Sequence, residues 1–222
     1  MTFVDAHTHA SPYWFEPVES LLFHMDRYQV KHTVLTGVTG QTADRYNQYL
    51  IDCARAYPDR VAPVVMVDVS REDAPEVLKF WVREGAQGVR LELDDRSPGK
   101  DPLAIWKACS DLGITVSCQG HKKEEFADDA FSDLISRLPQ LTFIIEHLGK
   151  AKAADTPPYS AFCKTLALAQ FPNVYLKVGG LGEICKRPFP FLDPFFSVDG
   201  VPPFVKMAYD AFGASRMMWG SN

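Results

Sequence analysis

A single α/β barrel of eight parallel strands, (β/α)8, is the fold that this 222-residue sequence predicts. Three observations predict it. Short apolar runs bounded by turn residues alternate strictly with segments of helical spacing, the pattern of a parallel sheet covered by helices. Eight such runs are present, mostly about one βα unit apart with a longer last interval, and eight units close into a barrel more naturally than they extend an open sheet. No sequence repeat, composition shift or low-complexity stretch divides the chain, so residues 1–222 are read as one domain.

The first strand is read over Phe3–Ala6 and is followed by helical spacing at Val18, Leu21, Leu22 and Met25. Thr33–Leu35 precedes Tyr46, Tyr49, Leu50 and Cys53; Val61–Val67 precedes Val77, Leu78, Trp81 and Val82; Gly88–Leu91 precedes Ile105, Cys109 and Leu112. Ile114–Cys118 and Thr142–Ile145 flank the spacing Phe131, Leu134, Ile135 and Leu138, and Val174–Val178 and Met217–Trp219 complete the set. After strand seven, residues 179–201 are rich in Pro and Phe and are read as a long loop on the face where barrel enzymes keep their active sites. The chain stops at Asn222, directly after strand eight, so the barrel reads as truncated after strand eight. With no helix over that strand, its apolar flank is expected to promote association into a homo-oligomer.

Hydrophobic residues make up 46% and charged residues 23%, ordinary values for a globular domain with a sizeable core. Lys plus Arg total 23 against 28 for Asp plus Glu, with no basic stripe, which excludes a nucleic-acid partner. Cys53, Cys109, Cys118, Cys163 and Cys185 are odd in number and form no CxxC pair, as expected of reduced thiols in the cytoplasm. No leader pattern and no long apolar stretch is present, so membrane association is not expected. No GxSxG, Walker loop or GxGxxG appears, which removes the usual serine-hydrolase and nucleotide-binding readings.

Asp5, His7 and His9 alternate along strand one, and alternation projects them together from its C-terminal end. Two imidazoles at i and i+2 on a rigid strand suit a divalent metal with open coordination positions. His147 ends strand six, and alternation sets it opposite Glu146, which is assigned to the barrel wall. Arg90 and Lys177 fall on inward positions of strands four and seven; each needs a carboxylate, from the protein or from an anionic substrate. Gln119 and His121 share a face at the end of strand five, with His121 expected to be exposed. Trp14, Phe15 and the aromatics from Phe189 to Phe196 are available to wall a pocket.

In order along the chain, Val4-Asp5-Ala6-His7-Thr8-His9, Gly88-Val89-Arg90-Leu91, Ile145-Glu146-His147-Leu148-Gly149-Lys150 and Arg216-Met217-Met218-Trp219-Gly220-Ser221-Asn222 form four short islands. Through them nearly the whole chain resembles the amidohydrolase superfamily, in particular the amidohydrolase-related (amidohydrolase 2) branch that contains small-molecule lactonases and aminocarboxymuconate-semialdehyde-type decarboxylases. The resemblance implies a TIM-like barrel whose strand-one HxH binds a metal or, in some lactonases of the branch, binds substrate without one. Metal-using members usually add a histidine at the end of strand five and an aspartate at the end of strand eight, where this chain carries Gln119 and Asn222. An Asn amide cannot take up a proton near neutral pH. A divalent ion, zinc or manganese, is therefore expected to be weakly held at His7, His9 and His147, or not used.

These residues lead to a hydrolase acting on a small anionic lactone or related ester or amide, by water attack on a polarised carbonyl. His7, His9, His147 and Asn222 are the expected catalytic residues, and Arg90, Lys177 and Gln119 the expected contacts to a small-molecule substrate. The alternatives are a metal-dependent non-oxidative decarboxylase of the same superfamily and a catalytically silent barrel that binds a small acid.

Overall fold

The computed structural model describes residues 2–13, 15–38, 43–179, 184 and 203–222. Eight strands, β1 (Phe3–Thr8), β2 (Val30–Thr36), β3 (Val61–Val65), β4 (Gly88–Glu92), β5 (Thr115–Gln119), β6 (Phe143–Ile145), β7 (Val174–Val178) and β8 (Met217–Trp219), follow one another in sequence order, each parallel to the next. They form a nearly closed barrel. The described helices are α1 (Val18–Arg27), α2 (Ala43–Ala56), α3 (Ala74–Glu84), α4 (Ala104–Asp111), α5 (Lys123–Phe126), α6 (Asp129–Arg137), α7 (Ser160–Ala167) and α8 (Phe204–Phe212). None is long and apolar enough to cross a membrane.

Local chemistry accounts for the helix boundaries. A proline opens the first turn of α3, where its missing N–H costs nothing, and Gly85 ends it at φ 120°. Asp128 caps α6 by accepting from the Ala130 amide. The main core lies between sheet and helices: Val89, Leu91, Val116, Cys118, Phe143, Ile145 and Leu176 face outward onto Leu78, Trp81, Trp106, Leu134, Ile135 and Phe204. Alternation then turns Arg90, Ser117 and Lys177, on the same strands, into the barrel.

The junction between β8 and β1 is made differently. Ser221 N–H donates to Asp5 Oδ1 at 2.9 Å and Asn222 N–H to the His7 carbonyl at 2.9 Å. Gly220 permits the approach, because a Cβ there would stand 2.6 Å from His7 Cβ. On the outer side of this junction Val4 is 50% and Trp219 45% exposed. The extended loop expected over residues 179–201 lies, apart from Gly179 and Ile184, outside the described residues, as do Cys185, Trp14 and the aromatics Phe189 to Phe196.

Candidate active site

Glu146 is the hub of the barrel interior. Fully buried, it accepts from Arg90 Nε at 3.0 and 3.2 Å and from Arg90 Nη2 at 2.7 Å, while Ser117 Oγ donates to its Oε1 at 2.7 Å. Arg90 Nη1 reaches the Gly37 carbonyl at 3.0 Å. Burial alone would raise the Glu146 carboxyl, but the Arg90 guanidinium, with Lys177 behind it, holds it well below the usual carboxylate range. Lys177 Nζ donates to Ser117 Oγ at 2.7 Å and to His7 Nδ1 at 3.2 Å. Its own pKa is pushed down to about 8 by burial, against the pull of Glu146.

Glu146, expected by parity on the face opposite His147, thus points into the barrel. β6 ends at Ile145, whose side chain faces the outer core, so alternation carries Glu146 inward and would carry His147 outward. The chain then breaks alternation with a left-handed turn, His147, Leu148, Gly149 and Lys150 having φ of 50°, 51°, 58° and 63°. Three non-glycine residues in that region store strain of the kind that persists at functional sites. The turn brings the His147 ring back over the site, 4.9 Å from the His7 ring, with Nε2 3.6 Å from Glu146 Oε2.

On β1, alternation also fails locally. Asp5 pairs with Thr33 and Thr8 with Leu35, so β1 carries one extra residue between them. Asp5 consequently serves the β8 junction, accepting from the amides of His7 at 3.1 Å and Ser221 at 2.9 Å, and does not join the histidines as a third projecting group. His7 and His9 do meet, their Nε2 atoms 3.1 Å apart. His9 Nδ1 donates to the Thr36 carbonyl at 2.9 Å, which leaves its Nε2 lone pair facing His7. The Asn222 side chain hydrogen-bonds His9 as well. Burial lowers the pKa of both histidines, that of His7 to about 2, so both rings are neutral near pH 7.

Ligand atoms of His7, Glu146 and His147 lie within 4.8 Å of one another, and this is where a cation could be held. The expected set of His7, His9 and His147 is therefore met in two members, with Glu146 in place of His9. Position alone does not make these residues ligands. Both oxygens of Glu146 are taken by Arg90 and Ser117, and His7 Nδ1 faces an ammonium group. As arranged, the residues do not fit a metal.

Arg90 and Lys177 face inward as alternation requires, and their carboxylate partner comes from the protein: the expected clamp is closed on Glu146. Gln119 instead offers an opening, since its buried Oε1 has no hydrogen-bond partner among the described residues, and the same holds for Thr36 Oγ1 at the end of β2. Orphaned polar atoms of this kind cost roughly 1–3 kcal/mol each until a ligand satisfies them. His121 is exposed and pairs with Glu92 at 3.0 Å. Phe15 stacks on His9 with ring centroids 5.1 Å apart. Ser117 was not anticipated; its signal is register, because it pairs directly with Arg90 and shares inward parity with Gln119.

Residues 4–222 match the family model described as Amidohydrolase. An L-fucono-1,5-lactonase of Burkholderia ambifaria is 26% identical over 247 residues, covering 100% of this chain and 80% of that protein. The crystal structure of a putative 2-pyrone-4,6-dicarboxylic acid hydrolase from Pseudomonas putida superposes with a TM-score of 0.74 at 21% identity, covering 98% of this chain and 81% of that one. A dihydroxybenzoic acid decarboxylase from a Polaromonas species, with bound manganese and the inhibitor 2-nitroresorcinol, gives 0.69 at 14% identity, covering 100% and 86%. The two structures establish the barrel fold. The family match and the likeness to the lactonase point to an enzyme.

Proposed function

The chain belongs to the amidohydrolase family, and from that premise we propose that it hydrolyses a small lactone by acid–base catalysis at the His7–His9 pair. The observation that carries the reading is the 3.1 Å approach of the two imidazole Nε2 atoms, which requires one to donate and the other to accept. Such a pair presents a donor and a base side by side.

A lactone carbonyl entering the mouth replaces His9 as acceptor of the His7 Nε2–H, whose donor strength Lys177 increases from Nδ1. His9 Nε2 takes a proton from the water that attacks the carbonyl carbon. The oxyanion formed is stabilised by His7 with the Lys177 charge behind it. Collapse breaks the ring C–O bond, and the His9 imidazolium returns its proton to the departing alkoxide, giving the hydroxy acid. Acid–base assistance of this kind contributes about 10²–10⁴-fold in rate. His147, packed edge-on against His7, and Asn222, bonded to His9, hold the pair in place.

With both buried cations engaged by Glu146, the orphan acceptor of Gln119 and the hydroxyl of Thr36 favour a neutral, hydroxyl-bearing lactone over the anionic one expected from sequence. The likeness to L-fucono-1,5-lactonase supports a lactone as the substrate class. Acid release at constant pH tests this with neutral hydroxylated lactones, carboxylate-bearing lactones and simple esters, each in the presence of a chelator. Turnover of the first group, undiminished by chelation, is expected. A protein that decarboxylates hydroxylated benzoates and leaves every lactone intact would overturn the reading.

A further inference from the structure

We propose that Lys177 is a positioning residue that fixes the proton of His7 on Nε2 and thereby closes the histidine pair to divalent metal ions. An ammonium group has three donors and no acceptor, so at its 3.2 Å contact with His7 Nδ1 the imidazole nitrogen must accept. A neutral ring then carries its single proton on Nε2.

The rest of the chain agrees with that assignment at each link. The two Nε2 atoms stand 3.1 Å apart, a distance that is attractive only if one donates and the other accepts. His9 gives its Nδ1 proton to the Thr36 carbonyl, so its Nε2 is the acceptor and that of His7 the donor. One direction runs through the whole series, from Lys177 through His7 and His9 to Thr36.

A metal ion shared by the pair needs both Nε2 lone pairs, since neutral imidazole binds metal through an unprotonated nitrogen. His7 would have to move its proton to Nδ1, where it would meet the ammonium donor head-on. The nearest other acceptor for that proton, Glu146 Oε1 at 3.6 Å, is already taken by Arg90 and Ser117. Nor is Lys177 free to swing aside: it is 3% exposed and tied to Ser117 Oγ at 2.7 Å, and Ser117 is tied in turn to Glu146. Metal ligands usually rely on an outer-shell acceptor for their second ring nitrogen, with effects of about 10–100-fold on affinity. Here that outer position is occupied by a donor.

The inference does not depend on the substrate, and its test uses none. In the full chain labelled with ¹⁵N-histidine, long-range proton–nitrogen correlation reads the His7 tautomer directly, and zinc titration by calorimetry is run on the wild type, Lys177→Gln and Lys177→Met. The expected result is a His7 proton on Nε2 in the wild type, and zinc affinity about tenfold or more higher in the variants, with His7 and His9 resonances shifting on titration. A His7 proton found on Nδ1 would overturn the proposal, and so would a wild type that binds zinc as tightly as folded variants. The tautomer reading needs no variant and so decides the matter even if both fail to fold.

Discussion

The two walls of the barrel mouth are built on opposite terms. The wall from β4 to β7 is charged and saturated: Arg90, Glu146, Ser117 and Lys177 satisfy one another, and behind them lies the main apolar core. The wall from β8 to β2 is neutral and open. It carries His7 and His9 uncharged, depends on backbone donors from the last two residues to hold β8 against β1, and has Val4 and Trp219 exposed on its outer side. A buried ion pair held by several hydrogen bonds is a poor reagent and a good support, whereas a neutral imidazole whose lone pair meets only a second neutral imidazole is the reverse.

The largest expected effect is on the charged wall. Arg90→Met leaves Glu146 buried without its bidentate partner and should cost about 3–5 kcal/mol, read by chemical or thermal denaturation. If the melting temperature holds while KM for substrate rises, Arg90 is a substrate clamp and the contrast between the walls is lost. Next is the junction: Gly220→Ala forces a Cβ against His7, with contacts of 2.6, 3.1 and 3.3 Å to its Cβ, N and Cα. A loss of about 1–3 kcal/mol is expected, with activity falling further than stability because His7 itself is displaced. An unchanged melting curve and full turnover would show that β8 does not press on the site.

A smaller effect separates the walls by pH. His7 is held far below its ordinary value, mainly by burial, so below pH 6.5 the unfolded chain binds a proton that the folded one refuses. Stability should therefore fall as pH drops below 6.5, by about 1.4 kcal/mol per unit once the unfolded group is fully protonated. Glu146 works in the other window, its carboxyl depressed, and loses its contribution only at pH values below the ordinary carboxylate value of 4.5. Between pH 6.5 and 5 the neutral wall loses stability through His7 and His9, while Asp95, whose carboxyl burial raises to about 6, works in the opposite direction. His7→Gln should make the slope shallower, leaving the His9 share, and an unaltered slope in that variant would assign the loss elsewhere.

Regular strands are legible from the chain alone, because alternation is a property of extended backbone: it places Arg90, Lys177 and the strand-one histidines inward. Where the backbone departs from extension, that reading failed. The left-handed turn at His147–Lys150 lets His147 share the inner side with Glu146, which simple alternation forbids, and the extra residue in β1 sent Asp5 to the junction instead of the histidines. Ser117 escaped notice because a serine on a strand carries no chemical signature until its register with Arg90 is known. The direction of the hydrogen-bond series was likewise hidden, since it depends on a lysine and a histidine 170 positions apart.

The most direct test of the neutral wall as the reactive one is turnover of a neutral hydroxylated lactone by His9→Ala, measured beside its melting temperature. The account predicts a fold of nearly unchanged stability and a kcat lower by about 10²–10⁴, the worth of a positioned base. Wild-type kcat in a folded His9→Ala protein would contradict it.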